Sequence, residues 1–177
     1  FFKQKTAYEI STRDWSSDVC SSDLGRNEFL PLNQDNLAYK AAALMLKTYE
    51  LDTGIDIAIK KEIPISGGMA GGSADAGATI VAIDSLFSLG LKRDAMEQVG
   101  SQLGADVPFT ISGGTAIGTG RGDRITPVLA RGSYYWVLAL SSSGLSTPAV
   151  FKECDRLRQG MEVSQPHISD ALMHAIS

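Results

Sequence analysis

Residues 63–77 read IPISGGMAGGSADAG, and the fold turns on them: four glycines fall within the six residues 67–72, between a strand-like run and a helix-like one. Upstream, Ile55, Ile57 and Ile59 alternate with Asp56, Ala58 and Lys60, a period of two that puts the isoleucines on one buried strand face. Downstream, residues 73 to about 89 carry Ile80, Val81, Ile83, Leu86 and Phe87 as a helix, with Gly90 expected to end it in the left-handed conformation.

A glycine-rich link from strand to helix has three readings. The nucleotide loop G-x-x-x-x-G-K-[ST] needs a lysine, and although Gly67 and Gly72 have its spacing, Ser73 stands where the lysine belongs. The dinucleotide fingerprint G-x-G-x-x-G needs an order of glycines that Gly67, Gly68, Gly71 and Gly72 do not supply. The third reading keeps only the physics. Without Cβ atoms the backbone N–H groups can approach an anion, the helix N-terminus adds partial positive charge, and Ser73 can offer a hydroxyl to a phosphate or a Mg²⁺ shell. On the loop alone, a tight turn whose glycines merely permit close packing accounts for the pattern better, since short motifs often match by chance.

Working outward, Asp35 is placed to cap a helix over residues 36 to about 49, with Leu37, Ala38, Ala41, Leu44, Met45 and Thr48 at three- and four-residue steps. A third helix is expected over 94–103, with Ala95, Met96, Val99 and Leu103 on one side and Asp94 as its cap. The string LGADVPF, residues 103–109, then sets Asp106 beside a proline-stiffened turn. A carboxylate there can take a proton from a substrate hydroxyl, or it can simply cap the turn.

After Gly104 the glycines punctuate short segments, and 115–119 with 124–128 read as a β-hairpin. YYWVLAL, residues 134–140, reads as a buried strand, 147–157 as a helix, and ISDALMHAIS as the start of another. The first 24 residues show no sustained helix or strand period, resemble a translated sequencing adapter, and are set aside from the fold as foreign.

A formal charge of −4 with scattered Lys and Arg argues against a nucleic-acid partner. Cys20 and Cys154 make neither a disulfide framework nor a metal spacing, and no run is long and apolar enough to span a membrane. A cytoplasmic protein without a protein-held metal is the expectation. His167 and His174 stand outside any motif and read as surface residues.

Taken together, KKEIPISGGMAGGSADAGA and, about thirty residues on, LGADVPFTISGGTAIGTGRGD resemble the GHMP kinase superfamily, and the resemblance runs from about Asn27 to the end of the chain. It implies an α+β fold, an incomplete mixed sheet packed with helices, with an ATP-binding domain over 25–160 after the foreign segment 1–24 and a linker with the start of a second α+β domain at 161–177. It implies an ATP-phosphate loop of Pro64, Ile65, Ser66, Gly67, Gly68, Met69, Ala70, Gly71, Gly72, Ser73 and Ala74, with Asn36 and Lys61 near the adenine. Asp106 falls on the position that activates the acceptor hydroxyl, and Mg²⁺ would accompany ATP. The acceptor implied is a small molecule, a cytidine-diphosphate-linked methylerythritol phosphorylated on its 2-hydroxyl for isoprenoid precursors; a mevalonate- or homoserine-type acceptor, or a nucleotide-binding module without chemistry, stays open.

Two motifs of the superfamily are not found: a P-A-K-x-N strand bearing a second catalytic residue, and a G-Y-H segment that holds cytidine. The chain as it stands is accordingly expected to be inactive, and its sheet to expose an unpaired, solubility-limiting edge.

Overall fold

The computed structural model describes residues 8–13, 20–22, 33–59, 63, 68–132, 135, 137, 146–162 and 167–176. The chain forms two compact units that divide between Val128 and Leu129.

In the first unit, β3 (Gly54–Ile59) is the centre of a three-stranded sheet. β1 (Tyr8–Arg13) pairs with it antiparallel, Ile10 opposite Ile57, and β2 (Cys20–Ser22) pairs with it parallel, Cys20 also opposite Ile57. The sheet is mixed, as expected, but both strands beside β3 lie in the segment 1–24 that was set aside from the fold, and they leave β3 no unpaired side. Tyr8, Ile10 and Thr12 of β1 alternate with Glu9, Ser11 and Arg13, a short period of two within a segment set aside as foreign, while β2 is three residues long and too short to show one. Ile57 and Ile59 are buried and Ile55 packs against the same core, as their alternation requires.

Helix α1 (Leu37–Thr48) buries Ala38, Ala41, Ala42 and Met45, while Thr48 is exposed. Its cap is Asn36, one residue later than expected: the Asn36 side chain accepts from Ala38 N–H at 2.9 Å, whereas Asp35 belongs to the preceding turn, where its N–H donates to Asn33 Oδ1 at 3.0 Å. A side-chain oxygen caps only from the residue whose own backbone is extended, and Asn36 has that geometry, φ −69° and ψ 131°.

Helix α2 (Gly71–Leu86) starts two residues before the expected position and ends three before it. Its end is closed by Ser88 rather than Gly90. Ser88 takes φ 52°, its N–H donates to Ser85 O, and Leu89 N–H donates to Asp84 O at 3.0 Å, the paired bonds of a left-handed helix stop. Gly90 also has positive φ, two residues further along the loop. The Asp84 carboxylate secures that loop by accepting from Leu91 N–H at 2.8 Å. α1 stops in the same way on Glu50, φ 52°, with Leu51 N–H donating to Leu46 O.

Helix α3 (Arg93–Ser101) is capped at Lys92, and Asp94 lies in its first turn, where a carboxylate favours the helix dipole without capping. After Gly104, where a stiffened turn was expected, the chain forms a further short helix, α4 (Val107–Ser112), with Pro108 in its first turn. Proline is compatible with that position because the N–H it lacks would have had no intrahelical partner. Val, Phe, Thr and Ile disguise the helix in sequence, since β-branched and aromatic residues favour strands. α1, α3 and α4 pack around α2, and the core they share with β3 holds Met45, Ile80, Ile83, Val99 and Val107. The expected hairpin follows as β4 (Ala116–Thr119) and β5 (Arg124–Pro127), antiparallel, with Ile117 opposite Thr126.

The second unit carries α5 (Thr147–Leu157) and α6 (Asp170–Ile176), both where the sequence places them. The buried strand expected over 134–140 is not found at its described positions: Tyr135 and Val137 are 98% and 99% exposed and lie in no strand. Apolar composition produces a strand only where a neighbouring strand accepts its backbone hydrogen bonds. His167 and His174 are exposed, as expected. Among the described residues, no helix is long and apolar enough to cross a membrane.

Candidate functional site

The candidate site is the amino end of α2. Gly68 has φ +67° and open space where a Cβ would stand, so it supplies a turn that side chains disfavour. Ala70 immediately before the helix is also left-handed, φ 52° and ψ 30°. Ala70 O accepts from Ala74 N–H at 2.9 Å, which makes Gly71, Gly72 and Ser73 the residues whose N–H groups precede the first intrahelical bond. No acidic side chain occupies the first turn to neutralise them. A 16-residue helix therefore presents a free amino end next to a loop with little side-chain bulk.

Gly68 is exposed, Met69 to Ser73 are half-buried and Ala74 is buried in the core. Gly72 faces α1 closely enough that a Cβ there would stand 3.2 Å from Leu37 Cδ1. The expected loop members Pro64, Ile65, Ser66 and Gly67, and the expected adenine neighbour Lys61, lie outside the described residues. Asn36 is buried at the head of α1, where its side chain caps the helix.

Asp106 stands at the head of α4 and is exposed. Its backbone already has helical angles, φ −82° and ψ −17°, and its side chain makes no capping bond, so the carboxylate is not spent on the turn. The helix it heads is fixed to α2. Thr110 Oγ1 shares its one proton between Val107 O of its own helix at 2.7 Å and Ser73 O of α2 at 3.1 Å. Thr110 N–H donates to Asp106 O, which puts Asp106 one turn from Thr110, about 6 Å along the helix axis. The approach of the two helices depends on Gly77, since a Cβ at that position would collide with Thr110 Oγ1.

Two polar residues of this region were not singled out from sequence. Thr110 gave no signal beyond its spacing from Asp106. Asp75, only 2% exposed in the second turn of α2, is a charged residue on the helix's buried side among Ala74, Ala76 and Gly77. Among the described residues no cluster of three or more His, Cys, Asp or Glu side chains is arranged to hold a metal ion.

Residues 36–114 match the family described as GHMP kinases N terminal domain. The chain is 50% identical over 143 residues to a 4-diphosphocytidyl-2-C-methyl-D-erythritol kinase of Arthrobacter sp. (strain FB24), covering 80% of this chain and 45% of that protein. It is 47% identical over 148 residues to the kinase of the same name from Rhodococcus jostii (strain RHA1), covering 84% of this chain and 48% of the relative. The chain thus spans about half the length of these relatives. Among solved structures, a crystal structure of 4-(cytidine 5'-diphospho)-2C-methyl-D-erythritol kinase is similar with a TM-score of 0.54 and 28% identity, over 71% of this chain and 42% of the other. A homoserine kinase from Cytophaga hutchinsonii shares the fold at a TM-score of 0.51 and 19% identity, over 62% of this chain and 34% of the other.

Proposed function

We propose, from the premise that residues 36–114 are a GHMP kinase N-terminal domain, that this chain is the nucleotide-binding part of an ATP-dependent kinase for 4-diphosphocytidyl-2-C-methyl-D-erythritol. The observation that carries the reading is the free amino end of α2 tied through Thr110 to α4, the helix headed by an exposed carboxylate, Asp106. Identity near 50% to kinases of that name supports the choice of acceptor.

In this reading the N–H groups of Gly71, Gly72 and Ser73 bind phosphate oxygens of ATP, and the helix dipole favours the negative charge gathered there. Pro64, Ile65, Ser66 and Gly67 complete the loop, with Asn36 and Lys61 on the adenine side. Asp106 accepts the proton of the acceptor's 2-hydroxyl as that oxygen attacks the γ-phosphorus, and ADP leaves. The work is mostly positioning and charge stabilisation, which suits a site built from backbone donors. Mg²⁺ would accompany the nucleotide, with the Ser73 hydroxyl as the side chain that would help hold it, and would neutralise charge developing on the phosphates. The protein acts in the cytoplasm on a small molecule, with no part for nucleic acid or membrane.

The test is ATP-dependent phosphorylation by the full gene product, with cytidine nucleotides as competitors. Phosphorylation of the cytidine-diphosphate-linked acceptor, inhibited by cytidine nucleotides, is expected. Turnover of homoserine or mevalonate instead would move the protein to another acceptor, and nucleotide binding without turnover of any of them would make it a binding module.

A further inference from the structure

We infer that Thr110 is a positioning residue for phosphoryl transfer, its hydroxyl setting the spacing between the proton acceptor Asp106 and the phosphate-binding end of α2. The inference rests on the kinase reading above and extends it to a residue that touches neither nucleotide nor acceptor.

Thr110 is joined to both halves of the site. Its N–H donates to the carbonyl oxygen of Asp106 within α4. Its hydroxyl, 37 residues away in sequence from Ser73, donates to the Ser73 carbonyl at 3.1 Å. Ser73 is the third residue of α2 and one of the three whose N–H groups are free for an anion. A single side chain therefore connects the backbone of the base-bearing turn to the backbone of the phosphate-binding turn.

Its geometry is tightly confined. The one hydroxyl proton faces two carbonyl oxygens, Ser73 O and Val107 O, so the rotamer that reaches α2 is also the one that returns to its own helix. On the other side Gly77 leaves room for the hydroxyl where any Cβ would exclude it. Val107, one turn before, is fully buried against Gly100 of α3, which holds α4 on its α3 side and leaves the Thr110 hydroxyl as a polar tie to α2. Losing the Thr110 to Ser73 bond would let α4 shift on α2 while the core holds, and a displacement near 1 Å at a reacting pair costs on the order of 100-fold in rate.

The experiment compares Thr110→Val, Thr110→Cys and Thr110→Ser in the full gene product, measuring kcat, the KM for ATP and thermal unfolding for each. Valine keeps the shape without the hydroxyl, cysteine donates weakly, and serine keeps the bond. We expect kcat to fall about tenfold or more in Thr110→Val, less in Thr110→Cys, and to stay near wild type in Thr110→Ser, with the KM for ATP within about twofold throughout. If the valine variant does not fold, the order of serine above cysteine in kcat decides the matter. Lower unfolding temperatures with unchanged kcat would make Thr110 a merely structural residue and overturn the inference. A wild-type protein that transfers no phosphate would instead bring down the kinase reading, and this inference with it.

Discussion

Gly100 and Val107 meet where no side chain could be added: a Cβ on Gly100 would stand 2.8 Å from Val107 Cγ1 and 3.2 Å from Ile111 Cδ1. The contact closes α3 onto α4 one residue after Asp106, so the placement of the carboxylate depends on a missing methyl group. Val107 is β-branched and fully buried and cannot swing aside. Gly100→Ala is therefore expected to destabilise the fold by about 1–3 kcal/mol, outweighing the gain of up to about 1 kcal/mol that alanine brings to a helix. Urea unfolding checks this, and a stabilised variant would show that α4 yields.

At the head of α1, Asn36→Ala is expected to cost about 1 kcal/mol, because Ala38 N–H loses its acceptor. Asn36→Asp keeps the acceptor oxygen and is expected to lose less in the same unfolding measurement. Equal losses would show that the buried amide matters for something other than the cap.

Ser88 gives a prediction of opposite sign. It holds φ 52° at the end of α2, in a conformation that costs a side chain about 1 kcal/mol and glycine little. Ser88→Gly is expected to leave stability unchanged or raise it by up to about 1 kcal/mol, although glycine normally weakens a protein through chain entropy. A clear loss in unfolding free energy would place the helix stop elsewhere.

At the tip of the hairpin, Arg121 donates to the Asp123 carboxylate at 2.7 and 3.2 Å. That hydrogen bond, with the guanidinium's charge behind it, holds Asp123 below the ordinary aspartate range. A lowered folded value means that the contact's contribution is complete above the unfolded value and is lost as pH falls through the folded one. Carbon-detected titration should show the Asp123 midpoint rising in Arg121→Ala; an unmoved midpoint would mean that the ion pair does not form in solution.

Much of this architecture was legible because burial writes itself as a period. The isoleucines of β3, the alanines and Met45 of α1, and the β4 and β5 hairpin follow from two- and three-to-four-residue spacing and from glycine punctuation. The misses have local physical causes. Asp35 and Asp94 are good capping residues in general, but the cap belongs to whichever residue the backbone leaves extended, here Asn36 and Lys92. Ser88 and Glu50 take left-handed positions that glycine usually fills, so these helix stops carry no glycine signal in the sequence.

The site divides in the same way. The free amino end of α2 was visible as a glycine string, and Asp106 as a carboxylate beside a proline. The link between them was not, because Thr110 and Gly77 work through a tertiary contact that has no sequence period. Of the strands beside β3, β2 is too short to carry a period, whereas β1 alternates Tyr8, Ile10 and Thr12 with Glu9, Ser11 and Arg13 and was passed over because its segment was set aside as foreign.

The most direct test of the central claim is Asp106→Asn in the full gene product, assayed for ATP-dependent phosphorylation of the cytidine-diphosphate-linked acceptor alongside ATP binding. Amide for carboxylate removes the proton acceptor and keeps the shape, so turnover is expected to fall by about 100-fold or more with ATP affinity retained. Turnover equal to wild type would contradict the account, because it would leave Asp106 without a part in the reaction.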